Sequence, residues 1–82
     1  MKYRNQTIKR LPDDRRTGRQ RWALNGEPAR RVMVRGRMVG EYWTSRESVM
    51  AAADNAADET LARADDLGLA LPADMLANLR GE

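Results

Sequence analysis

The chain has 82 residues, a size at which folding removes only about 60% of the unfolded surface from water, so an enclosed active site has little room. It contains no cysteine and no histidine, which excludes disulfides, thiolate chemistry, imidazole catalysis and the commonest zinc sites. Its formal net charge of +3 conceals a division: residues 1–43 hold twelve Lys or Arg against four acids, a balance of +8, and residues 44–82 hold three against eight, a balance of −5.

Arginine dominates the basic half, and its planar fork suits phosphate or carboxylate. Segregation of charge for solubility alone is the plain alternative. Hydrophobic residues make up 41% of the chain but include no phenylalanine, so the core is expected to be thin. No apolar run approaches the roughly 18 residues that cross a bilayer, and the opening MKYRNQTIKR lacks the apolar middle of a signal peptide. A cytoplasmic protein without a membrane partner is therefore expected. The pattern predicts an α+β fold in a single domain over residues 1–82. A three- to four-stranded basic antiparallel sheet over 1–43 packs on one long helix, and the acidic part over 44–82 ends in a short C-terminal helix.

In chain order, residues 2–11 alternate loosely, with Tyr3 and Ile8 apolar among polar neighbours, and read as a first strand. Pro12-Asp13-Asp14 is turn chemistry. Arg15-Arg16-Thr17-Gly18 reads as an exposed basic loop that is either merely solvated or follows a phosphate backbone. Residues 19–24 form a short strand centred on Trp22, closed by Asn25-Gly26-Glu27-Pro28, where proline cannot donate to a ladder. Residues 29–34 and 37–43 carry the clearest strand patterns, joined at Arg35-Gly36, where glycine accepts the positive φ of a tight hairpin.

Setting Val34 opposite Arg37 pairs Met33 with Met38, Val32 with Val39, Arg31 with Gly40 and Arg30 with Glu41. One face then shows Arg30, Val32, Val34, Arg37, Val39, Glu41 and Trp43, and the other Ala29, Arg31, Met33, Arg35, Met38, Gly40 and Tyr42. Both are half apolar and half basic. A helix can cover one, which leaves the other for a partner, although a slip of one residue would exchange the faces.

Thr44-Ser45-Arg46-Glu47 reads as a capping box with Thr44 as N-cap and Glu47 reaching back, which starts a helix at Ser45. Val49, Ala53, Ala56 or Ala57, Leu61, Ala64 and Leu67 keep helical spacing up to Gly68, which ends it. Alanine along this stripe permits close approach to the sheet, with Gly40 on the facing strand. Asp54, Asp58, Glu59, Asp65 and Asp66 make an acidic outer face. Pro72 opens a final helix of about eight residues with Met75, Leu76 and Leu79, too short to persist unless docked.

Ser45 and Ser48 have no histidine to activate them, and GxSxG, GxGxxG and GxxxxGK[ST] are all missing. Asp54 and Asp58 share a helix face but lack the further oxygen ligands a divalent cation needs. Neither an enzyme nor a cofactor is expected. The candidate contacts for nucleic acid or another partner are Arg19, Arg21, Trp22, Arg30, Arg31, Arg35, Arg37 and Trp43. Arginine reaches phosphates and guanine edges, and tryptophan stacks on an exposed base unless it simply fills the core.

Tyr3-Arg4, Arg21-Trp22-Ala23, Val39-Gly40-Glu41-Tyr42-Trp43-Thr44, Glu47 and the alanine-rich stretch 51–57 together resemble the sheet-plus-helix DNA-binding domains of plant ethylene-response factors and the arm-binding domains of tyrosine integrases. The resemblance covers roughly residues 2–60 and rests on common residue types. It implies a three-stranded sheet read into the major groove, Gly40 and Tyr42 against the helix, and Arg21, Arg30 and Arg37 as DNA contacts. The loop at 11–18 and the turn at 25–28 depart from that pattern. The tail, through Asn55-Ala56-Ala57-Asp58-Glu59 and Gly68-Leu69-Ala70-Leu71-Pro72, is similar to the end of HicB-type antitoxins, without their glycine and cysteine motif. In size and composition the chain also resembles small phage inhibitors such as anti-CRISPR proteins. The expected function is thus a non-enzymatic nucleic-acid-binding module of a phage or mobile element, with duplex DNA as partner. The alternative is a small inhibitor or antitoxin-like adaptor that binds a host protein or nucleoprotein complex, and a homodimer is a further expectation.

Overall fold

The computed structural model describes residues 1–81. Three two-residue turns shape its first half. Arg4-Asn5 (φ 48° and 65°), Asn25-Gly26 (53° and 77°) and Arg35-Gly36 (50° and 77°) each place both residues in the left-handed region, the requirement of a type I′ turn. The first of them divides residues 2–11, expected as one strand, into a hairpin of β1 (Lys2–Tyr3) and β2 (Gln6–Leu11) with Tyr3 opposite Gln6. A loop over residues 12–20 leads to β3 (Arg21–Leu24), which pairs antiparallel with β2, Ile8 facing Leu24 and Leu11 facing Arg21.

The second hairpin, β4 (Arg30–Val34) and β5 (Arg37–Glu41), has the expected register at all five pairs, from Val34 with Arg37 to Arg30 with Glu41. The fold is α+β, as expected, and its strands fall into two antiparallel sheets, the three-stranded β1-β2-β3 and the two-stranded β4-β5. They touch along the free edge of β3. Trp22 and Trp43 exchange backbone N–H···O bonds of 2.8 and 3.2 Å, and Leu24 bridges Glu27 around Asn25-Gly26. The β4–β5 hairpin is therefore rooted on β3 at both ends.

Helix α1 spans Arg46–Asp66 and α2 spans Ala73–Arg80. The N-cap of α1 is Ser45, not Thr44. The Ser45 hydroxyl accepts from the Ser48 amide at 3.1 Å, and the Ser48 hydroxyl accepts from the Ser45 amide at 3.3 Å, a capping box in which serine takes the third position in place of the expected Glu47. At the other end Gly68 (φ 66°) donates to the Asp65 carbonyl and Leu69 to the Ala64 carbonyl, the two bonds of a Schellman motif. Pro72 stands just before α2, one position earlier than expected.

The apolar stripe of α1 is buried at Val49, Ala53, Ala57 and Ala64, and Leu67 lies outside it, exposed. That stripe rests on β2 and β3, where Ile8 and Leu24 close the core with Val49 and Ala53. The expectation that α1 covers a face of the β4–β5 hairpin is thereby corrected. The helix takes the fully buried Ile8, while Gly40 faces Pro28 and Tyr42. Left uncovered, the hairpin projects as an arm. The radius of gyration, 15.2 Å, exceeds the roughly 12 Å of a compact chain this long, and the longest extent is 45 Å.

One polar cluster ties the pieces together. From the first turn, Arg4 donates through Nε to the Leu79 carbonyl (2.6 Å), through Nη1 to Asp54 Oδ1 (3.0 Å) and through Nη2 to Asp58 Oδ1 (2.7 Å). Tyr3 donates its hydroxyl to the same Asp54 oxygen at 2.7 Å, and buried Gln6 donates to the Ala53 carbonyl at 2.7 Å. A short hairpin thus grips both helices. The Tyr3 hydrogen bond, and then Arg4, hold the Asp54 carboxyl below its ordinary value, and the same bond raises the Tyr3 phenol.

Ser45→Ala is expected to cost about 1 kcal/mol by thermal or denaturant melting, and Thr44→Ala to be near neutral; equal losses would return the cap to Thr44. Because the folded-state pKa of Asp54 is depressed, its contribution is complete above the unfolded value near pH 3.9 and is lost as pH falls through the folded value. Acid melts should therefore show a stability loss below about pH 4 that is smaller in Asp54→Asn.

Candidate functional site

The arm is the most exposed ordered element. Alternation along β4 and β5 leaves no covered side: Arg30, Arg31, Met33, Val34, Arg37, Met38 and Val39 are all exposed, and Val32 is half-buried. Arg35 lies at the turn and Arg37 one residue beyond it. Near the root, Arg30 meets Glu41 (Nε to Oε2, 2.5 Å) and Arg31 meets Glu27 (Nη2 to Oε2, 2.9 Å). Both pairs are solvent-exposed, a setting in which an ion pair contributes little and yields readily to a competing anion. Among the described residues Arg35 and Arg37 have no ion pair.

A second group of cations lies in the loop over residues 12–20. Asp14 organises it, its Oδ1 accepting from the amides of Arg16 (2.7 Å) and Thr17 (3.3 Å) while its backbone bonds to Gly18 and Arg19. Those amides hold its carboxyl below the ordinary value, the Arg16 bond first. Arg15, Arg16 and Arg19 consequently stand exposed on a structured turn. Arg21, half-buried at the start of β3, donates through Nε to the Pro12 carbonyl at 2.7 Å. Its guanidinium lies 5.9 Å from the centre of the Tyr42 ring, within reach of a cation–π attraction. Loop and arm root are therefore joined at Arg21.

Of the eight residues singled out from sequence, Arg30, Arg31, Arg35 and Arg37 come together on the arm, Arg21 lies at its base, and Arg19 belongs to the loop over residues 12–20. Trp22 and Trp43 do not join them as free stacking platforms. Both are half-buried and pack on the Ile8-Leu24-Val49-Ala53 core, and the Trp22 indole N–H donates to Gln20 Oε1 at 3.0 Å. Pro28 and Gly40 escaped notice as partners. A Cβ at Gly40 would lie 3.0 Å from Pro28 Cβ and 3.1 Å from its Cγ, so the glycine lets the two ends of the arm close on each other. A proline just before β4 was the one available signal.

Gly40→Ala is expected to lower stability by about 1 kcal/mol through overpacking against Pro28. Amide exchange should quicken at Ala29, whose N–H bonds to the Glu41 carbonyl, and stay slow at Val49 and Ala53; unchanged exchange at Ala29 would mean the contact is slack. No family model, no curated protein and no solved structure matches the chain.

Proposed function

We propose that this chain is a non-enzymatic nucleic-acid-binding module whose β4–β5 arm enters a groove of duplex DNA. The observation that carries the reading is the placement of Arg35 and Arg37 at the end of an uncovered two-stranded ribbon, with no ion pair among the described residues. A two-stranded ribbon has the cross-section a groove admits, and unpaired guanidinium groups at its end meet phosphate without first breaking internal bonds. The loop arginines at 15, 16 and 19 add phosphate contacts that position without reading sequence.

A second reading, a small inhibitor or adaptor that binds a protein, draws on a different region. Leu69, 59% exposed, lines a shallow depression between α1 and α2 together with Leu61, Leu71 and Leu76, and Leu67, 65% exposed, stands two residues before it. Capture that survives nuclease treatment and is lost on Leu67→Ser with Leu69→Ser would favour that reading.

For the DNA reading, affinity for a mixed-sequence duplex should fall steeply with salt, with a log–log slope near −0.9 for each phosphate neutralised. Replacing Arg35 and Arg37 with glutamate should weaken binding to every sequence and flatten the slope by about two units. An affinity unchanged by the double substitution would overturn the reading.

A further inference from the structure

We infer that Met33 and Met38 form an apolar wedge that enters the minor groove of duplex DNA and unstacks a base step, so that the chain bends its target. This rests on the DNA reading above and adds the mode of engagement. The two methionines are cross-strand partners, and they are 65% and 60% exposed. In a ladder closed by a two-residue turn the pair beside the turn is the hydrogen-bonded one. Met33 and Met38 therefore occupy the following, non-hydrogen-bonded pair, where Cα atoms approach to about 4.5 Å and side chains lie closest. Two long, unbranched thioethers thus stand together on one face of the ribbon.

Along the ribbon the charges flank the wedge. Arg31 precedes Met33 by two residues, Arg35 follows it by two, and Arg21 with Tyr42 marks the root. Arg31 lies in β4 and Arg35 in the turn, so a guanidinium stands on each side of the apolar pair along the ribbon, placed to reach the backbones that border a minor groove about 6 Å wide. Cation, apolar pair, cation is the order that such a contact needs.

The rest of the arm argues the same way. Residues 29–41 contain no Asn, Gln, Ser, Thr or Lys, so apart from arginine the ribbon has little with which to read the donor and acceptor pattern of the major groove. The opposite face offers Val32, Val34 and Val39, whose β-branched side chains are stiff. Methionine, with three rotatable bonds, adapts to the gap that opens when a step unstacks.

Ligase-driven circularisation tests this without knowledge of a target sequence. A duplex of about 120 bp is shorter than the persistence length of about 150 bp and closes slowly unless bent. The full chain should accelerate closure by about fivefold or more, a protein-induced kink of about 20–90° being sufficient. Met33→Ala with Met38→Ala, compared at equal occupancy, should abolish the acceleration while changing affinity less than about threefold, since phosphate contacts carry the affinity. Met33→Leu with Met38→Leu should restore it. Binding without acceleration, or acceleration that survives the double alanine variant, overturns the wedge and leaves the DNA reading standing. Failure of the unmodified chain to bind the duplex overturns both.

Discussion

The fold depends on a guanidinium held in a turn. Arg4 sits in a left-handed conformation that costs a non-glycine residue of the order of 1 kcal/mol, and it persists because the surrounding bonds require it there. Nε, Nη1 and Nη2 each take a different acceptor: the Leu79 carbonyl in α2, and Asp54 and Asp58 one turn apart on α1. An alanine-lined interface of four buried residues would by itself allow the sheet to slide along the helix. The fork of Arg4 fixes the register between them, and Gln6 on the Ala53 carbonyl fixes it again two residues later. Once β2 is placed, β3 is placed, and with it the edge from which the arm grows.

This arrangement also separates two uses of arginine that a count of charges merges. Arg4 is spent inside the molecule, neutralising carboxylates that would otherwise repel one another along α1. Arg10 lies against Asp13, three residues on, in an exposed pair. The excess of +8 over residues 1–43 therefore overstates what is on display, which is concentrated in the loop over 12–20 and along the arm. The polarity of the molecule is real but narrower than the sequence suggests, and it follows the elements that the core leaves uncovered.

What could be read from the sequence was what local chemistry determines. Arg35-Gly36 set the arm's turn and, with Val34 opposite Arg37 across it, the register, and Gly68 ended α1. Arg4-Asn5 was not legible as a turn, because the acceptors that hold Arg4 lie 50, 54 and 75 residues away. Thr44 and Ser45 are adjacent hydroxyls, and the choice between them was made by Ser48, whose hydroxyl completes the box at the right spacing while Glu47 falls one position short. The covered face was undecidable from pattern alone. Both faces of the arm are half apolar, and the helix stripe found a better surface at Ile8 and Leu24, which the sequence scatters over separate strands.

The arm is exposed, yet it is not independent of the core. Its two ends meet β3 within three residues, at Trp22 through the paired backbone of Trp43 and at Leu24 through Glu27. Leu24 is a core residue and Trp22 packs against the core, so any force applied along the ribbon reaches Val49 and Ala53 through one strand of four residues. Gly40 against Pro28 then removes the remaining freedom where the two arm strands leave the body. A ribbon proposed to bend a stiff polymer must be held by something stiffer than a flexible linker, since the deformation would otherwise be returned as motion of the ribbon. Two backbone bridges and a close-packed glycine supply that attachment, and the Arg4 clamp behind them keeps β2 and β3 from yielding in their turn.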